Sequence, residues 1–234
     1  MKTFKTLLAT LAIAISGGAL TSCNTHSGED TGVQQFVEMV TLAATDENGS
    51  TFTYQYSEFS NLVTLTTPIR ISADNVKVGQ RLIIAYTVTD GREANTSGPI
   101  NLMSMMQVQN GELKQGTKED NGNWATSLYT MNRAWITGPW LNLSVSCTIL
   151  QAPKKFEIVV DESTLEESFP TAYLIIESDN DKNGKYLNAY ASFDIAWLWN
   201  NPKYNGMTLK YVDGTTLNWR EQTFESRPGF KPAE

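Results

Sequence analysis

Histidine and cysteine are almost missing from this chain: His26 is the single histidine among 234 residues, and Cys23 and Cys147 are the two cysteines. One imidazole excludes His-rich metal sites and the Ser-His or Cys-His pairs of nucleophilic catalysis. Positive charge is scarce as well, with 18 Lys and Arg against 25 Asp and Glu and a formal net charge of −7. Lys77, Arg81 and Arg92 are too few and too scattered to follow a phosphate backbone, so nucleic acid is not an expected partner. Neither Gly-rich stretch has the spacing of a phosphate loop. No second run of about 18 apolar residues follows the N-terminal one, and no helical period stands out.

The N-terminal run is short and ordered. Lys2 and Lys5 open it, residues 7–15 are apolar, and Ser16-Gly17-Gly18-Ala19 leads into Leu20-Thr21-Ser22-Cys23. A basic start, an apolar middle and small residues at the end describe a secretory signal, too short to span a bilayer. Its ending resembles a bacterial lipobox, in which the Cys23 sulfur takes a diacylglycerol and the chain is cut before it. The expectation is a signal peptide at 1–22 and a polar tether at 23–35 that holds His26. Cutting there removes two lysines and no acid, so the charge moves from −7 to −9. At about 0.8 kcal/mol per buried methylene, two or three palmitate-like chains hold a protein permanently at a membrane. A lipidated Cys23 also leaves Cys147 unpaired. In Leu141-Asn-Leu-Ser-Val-Ser-Cys147 the apolar residues alternate, which reads Cys147 as a buried small hydrophobe.

From Phe36 the pattern is strand after strand. Strands are expected at 37–43 and 50–56 around Asp46-Glu47-Asn48-Gly49, a hairpin signal, then at 61–67, briefly at 69–71, at 81–89 and at 100–108. Residues 110–123, rich in Gly, Lys, Glu, Asp and Asn, read as a linker. A second strand-rich half follows, with strands at 127–136, 140–150, 155–160, 171–177, 186–196, 207–212 and 215–224. Asp161 and Ser163 offer caps for one short helix start. All six tryptophans (Trp124, Trp135, Trp140, Trp197, Trp199 and Trp219) fall in this half, which points to two separate cores.

Several of these segments together resemble the NigD-like lipoproteins of Bacteroidota-type bacteria. They are the lipobox, the tether, Val78-Gly-Gln-Arg-Leu-Ile-Ile-Ala-Tyr86, Met131-Asn-Arg-Ala-Trp-Ile136 with Trp140-Leu-Asn-Leu143, Ala191-Ser-Phe-Asp-Ile-Ala196 and Met207-Thr-Leu-Lys-Tyr211. The resemblance implies an all-β chain, an N-terminal OB-like barrel at 36–113 followed by a C-terminal antiparallel β-sandwich at 124–230. It carries no catalytic residues and no cofactor. It implies an outer-membrane lipoprotein. The residues Asn24–Gly28 between Cys23 and the acids Glu29-Asp30 favour the periplasmic leaflet over the cell surface.

Two motifs carry candidate chemistry. Asp179-Asn-Asp181-Lys-Asn183-Gly184 matches the first half of a calcium loop, making Asp179, Asp181 and Asn183 candidate metal ligands. Tyr190 stands where the loop needs a bidentate Glu, so an acidic hairpin explains the same letters. Residues 186–199 alternate: Leu187, Ala189, Ala191, Phe193, Ile195, Trp197 and Trp199 on one face, and Tyr186, Asn188, Tyr190, Ser192 and Asp194 on the other. The second face, with Tyr186, Asn188, Tyr190 and Asp194 as candidate ligand-binding residues, suits sugars or serves as a solvated surface. The expected function is non-catalytic binding or interaction with an envelope protein. The alternatives are a carbohydrate-binding accessory of glycan uptake and an envelope hydrolase, which needs a carboxylate pair that no spacing here selects.

Overall fold

The computed structural model describes residues 35–57, 60–72, 76–88, 93, 95–124, 126–149, 155–177, 184–214, 216 and 218–226. Cys23, His26, the tether up to residue 34 and the calcium-loop residues Asp179, Asp181 and Asn183 lie outside the described residues. Five strands come first: β1 (Gln35–Asp46), β2 (Gly49–Tyr54), β3 (Val63–Thr67), β4 (Arg81–Val88) and β5 (Gly98–Gln107). They close into a barrel in the order β1-β2-β3-β5-β4, with β3 and β5 parallel. The Asp46–Gly49 hairpin forms as its sequence requires. The Asn48 amide donates to Asp46 Oδ1 at 2.7 Å. Gly49 has φ +136°, and a Cβ there would lie 2.0 Å from the Thr67 carbonyl oxygen, so only glycine fits. Alternate residues point inward and make one core, among them Val40, Leu42, Phe52, Leu65, Leu82, Ile84 and Tyr86. Residues 69–71 do not form the expected strand. Ile71 is nevertheless buried, its amide held by Ser50 Oγ at 3.0 Å.

The second unit is one eight-stranded sheet, curled until its edges nearly meet. Its strands are β6 (Gln109–Gly116), β7 (Tyr129–Thr137), β8 (Trp140–Ile149), β9 (Phe156–Asp161), β10 (Thr171–Ile176), β11 (Lys185–Asp194), β12 (Gly206–Val212) and β13 (Trp219–Glu225). The order is β13-β12-β10-β9-β6-β11-β8-β7. The ends are stitched by side chains: Gln222 Nε2 donates to the Ala134 carbonyl at 3.3 Å, and the Tyr129 hydroxyl accepts from the Val212 amide at 3.0 Å. Curling encloses an apolar core of Leu141, Leu143, Val145, Cys147, Ile158, Val160, Leu174, Phe193 and Leu209. Cys147 is fully buried there, as its alternation predicts.

Two expectations fail on local grounds. Residues 110–123 are not simply a linker, because β6 occupies the middle of the sheet and pairs in parallel with both β9 and β11. Its polar letters hide this, since only Leu113 and Gly116 are buried. Gly111 makes the placement possible: a Cβ there would lie 2.6 Å from the Phe193 ring. Trp197 and Trp199 do not extend the β11 face. The strand stops at Asp194, whose Oδ1 accepts from the Ala196 amide at 2.8 Å and starts the four-residue helix α1 (Ala196–Trp199).

Barrel and sheet meet through β4, which is buried along both faces. Its inward residues fill the barrel, and its outward residues Arg81 and Ile83 press on the sheet. Arg81, only 2% exposed, donates from Nη2 to Asn142 Oδ1 at 3.2 Å and from Nε to Ser192 Oγ at 3.3 Å. Both acceptors belong to the sheet, while Nη1 donates to Thr41 Oγ1 of the barrel at 3.3 Å. The guanidinium also lies 5.5 Å from the centre of the Trp140 ring. Asn110 of β6 closes the joint from below, accepting from the Arg81 amide at 2.7 Å and donating to its carbonyl at 3.2 Å. Beside this polar knot Met39, Ile83 and Val108 pack with Val37, Trp135 and Tyr190.

One acid sits inside the barrel. Glu38 shares the inward side of β1 with Phe36 and Val40, near the Tyr54 hydroxyl, which lies 3.4 Å from that of Tyr86. Burial pushes the Glu38 carboxyl up to about 7. The folded value thus exceeds the unfolded one of about 4.3, so folding favours the protonated acid. This contribution is fully present below about pH 4.3 and is lost as pH rises toward 7. Glu38→Gln is expected to stabilise the fold by about 2–3 kcal/mol at pH 8 and by little at pH 4.5, read by urea denaturation at both. An equal difference at the two pH values would contradict the assignment.

Candidate functional site: an aromatic cleft on the second sheet

The sequence-derived strip lands on the outer face of β11, and most of it has a structural role. Ser192 belongs to the Arg81 knot, Asp194 accepts from the Ala196 amide where the chain turns into α1, and Tyr190 is half-buried against Met39, Ile83 and Val108. Tyr186 and Asn188 remain open. The Tyr186 hydroxyl donates to Thr130 Oγ1 at 2.6 Å, and Asn188 Oδ1 accepts from Ser146 Oγ at 2.6 Å. The barrel therefore docks on one end of this face and leaves the other as a hydrogen-bonded polar surface.

The better-formed site is one the sequence did not single out. It lies on the outer face of β9, β10, β12 and β13, a cleft of about 300 Å³ lined by Lys118, Trp124, Asp161, Tyr173, Lys210 and Trp219. Strand register assembles it. Tyr173 on β10 sits opposite Val159 on β9 and beside Lys210 on β12, and Lys210 in turn faces Glu221 on β13. Trp219 opens β13 on the same face. Trp124 comes from the turn after β6, folded back over the sheet. That turn is tied by Thr117: its Oγ1 donates to Asp120 Oδ2 at 2.7 Å, and its carbonyl accepts from Asn121 Nδ2 at 2.8 Å.

The rings are fixed in mutual contact. Trp124 stacks on Tyr173 with centroids 4.3 Å apart and planes 7° from parallel. Trp219 meets Tyr173 edge-on at 5.2 Å and 89°. Trp124 is 4% exposed and packs on Val159 and Ile175, whereas Trp219 is 40% exposed. The Trp124 backbone has φ +62°, a left-handed conformation that costs a bulky residue about 1–2 kcal/mol. Packing of the indole on Val159, Ile175 and Tyr173 offsets that strain.

Charge in the cleft is mixed. Lys210 Nζ lies 5.9 Å from the Tyr173 ring centre and 4.0 Å from Glu221. Asp161 Oδ1 accepts from the Ser163 amide at 3.0 Å and from Ser163 Oγ at 2.7 Å, capping the 3₁₀ turn at Glu162–Thr164, as its sequence predicts. Burial, and secondarily the Asp161 carboxylate, hold the Tyr173 phenol above its ordinary value. Among the described residues no group of three or more His, Cys, Asp or Glu is placed to hold a metal ion.

Sequence reasoning missed this cleft because its parts come from five separated segments. The usable signals were Trp124 directly after a polar turn and Trp219 at the head of a strand. Replacing the two tryptophans separates structure from surface. Trp124→Ala is expected to lose about 3 kcal/mol of stability, and Trp219→Ala less than about 1 kcal/mol, both by urea denaturation. Equal losses would contradict the described packing.

No family model matches the chain, and no curated protein matches it by sequence. Solved structures do resemble it. A DUF1344 protein of unknown function from Bacteroides vulgatus aligns with a TM-score of 0.65 at 14% identity, covering 85% of this chain and 96% of that one. A NigD-like immunity protein from Bacteroides caccae aligns at 0.61 and 16%, covering 82% and 96%. A candidate lipoprotein from Bacteroides fragilis aligns at 0.61 and 12%, covering 84% and 100%. At such identities what is shared is the fold, the barrel followed by the curled sheet.

Proposed function

We propose that this protein is a non-catalytic binding protein of the bacterial cell envelope, held at the outer membrane by acyl chains on Cys23. The observation that carries the binding reading is the aromatic cleft, where rigid rings and two lysines are grouped while the nearby acid serves as a backbone cap. The anchor rests on Leu20-Thr21-Ser22-Cys23 and the basic, then apolar, run before it. The fold is shared with a NigD-like immunity protein and a candidate lipoprotein, which accords with an envelope role. The polar spacer before Glu29-Asp30 favours the periplasmic leaflet.

A hydrolase has less support, because several of the acids hold structural contacts. Glu157 is bridged by Lys114 and Lys155, whose ammonium groups hold its carboxyl below the ordinary range. Asp161 and Asp194 cap turns, and Glu166 pairs with Lys203 at 2.8 Å. A general acid needs a carboxyl raised by burial across a cleft from a second one; the raised carboxyl here, Glu38, shares the inward side of β1 with Phe36 and Val40.

Mass spectrometry of the protein from membranes is expected to find residues 1–22 removed and Cys23 carrying two or three acyl chains. Cys23→Ser is expected to move the protein from the membrane to the soluble fraction. A native chain with a bare Cys23 thiol would overturn the anchor.

A further inference from the structure

The cleft also indicates what kind of ligand it takes, and this inference rests on the binding reading above. We infer that Trp124, Tyr173 and Trp219, with Lys118, Lys210 and Asp161, form a site for an acidic saccharide, one or two sugar units that carry a carboxylate.

Three features of the cleft converge on that chemistry. Trp219, 40% exposed, makes a T-shaped contact with a Tyr173 ring that is itself stacked on Trp124. Rigid exposed aromatics bind flat, weakly polar surfaces, and the C–H face of a pyranose is such a surface. Two lysines and one acid line the cleft in a chain of net charge −7; Lys210 has Glu221 4.0 Å away, whereas Lys118 has no acid partner among the described residues. A carboxylate on the ligand can pair with the Lys118 ammonium, which no acid among the described residues engages. Asp161 uses Oδ1 on Ser163. Its other oxygen is an acceptor that suits hydroxyl donors, which a sugar has and a purely anionic group lacks. A ligand that is flat and apolar on one face, anionic at one point and rich in hydroxyls meets all three. The volume of about 300 Å³ lies at the lower end of ligand pockets and limits the bound portion to a short segment.

The test is isothermal titration of the full detergent-solubilised chain with oligogalacturonate, its fully methyl-esterified neutral counterpart and a poly-glutamate peptide. Oligogalacturonate is expected to bind at least tenfold more tightly than the ester, and that preference is expected to fall as salt rises. Trp219→Ala is expected to weaken binding at least tenfold. The pair Lys118→Gln with Lys210→Gln is expected to bring the acid down to the affinity of the ester. Retained fluorescence of the buried Trp124 checks that each variant is folded. Tighter binding of the peptide, or of the ester, overturns the acidic-saccharide inference yet keeps the cleft as a binding site. No heat with any of the three overturns it too. Acyl chains on Cys23 in that same preparation would show that the anchored-protein reading survives the loss.

Discussion

One buried guanidinium fixes how the two units meet. Arg81 projects from the barrel into the outer face of the second sheet, where neutral oxygens of Asn142, Ser192 and Thr41 and the Trp140 ring receive it. Among its described contacts no carboxylate shares the charge. Burial lowers its affinity for a proton, but an arginine starts so high that it stays ionised at neutral pH. An ion in that position is tolerated only where dipoles surround it, and the dipoles come from both units. Barrel and sheet therefore cannot separate without stripping the charge of two of its neutral acceptors, Asn142 Oδ1 and Ser192 Oγ, which stay bonded to each other in the sheet at 2.8 Å. The apolar contact of Met39, Ile83 and Val108 with Trp135 adds area, while the arginine supplies the register.

This constraint explains what was legible in the sequence. Residues 82–86 are apolar on both alternating faces, which marks a strand covered from both sides. The Gly79-Gln80-Arg81 start of that strand lies in one of the segments that resemble NigD-like lipoproteins, and Arg81 proves to be at the joint. Hairpin signals, the buried Cys147 and the Asp161 cap were also readable, because each depends on neighbours within a few residues. The central strand β6 was not. Its sequence is polar, and it is a strand because two distant partners, β9 and β11, supply its hydrogen bonds. Nothing local reports such a placement, and Gly111 becomes informative only once Phe193 is seen above it.

The site was less readable than the fold for the same reason. The alternation at 186–194 correctly separated the two faces of β11, but it could not show that the barrel docks on half of the polar face. Tyr190, Ser192 and Asp194 thus have structural roles, and Tyr186 and Asn188 stay exposed. The aromatic cleft needs Tyr173 and Lys210 side by side, a neighbourhood made by the parallel pairing of β10 with β12. It also needs the turn after β6, in a segment that reads as a linker. The strained Trp124 backbone is the local trace of that arrangement, and it shows in geometry, not in composition.

The most direct measurement on the central joint is a double-mutant cycle between Arg81 and Asn142, which belong to different units and lie 61 residues apart in sequence. Arg81→Met, Asn142→Ala and the double variant are compared by urea denaturation. A shared, buried hydrogen bond across the joint predicts a coupling of about 1–3 kcal/mol, with each single change destabilising. A coupling below about 0.5 kcal/mol would mean that the two units are held together by something other than this guanidinium.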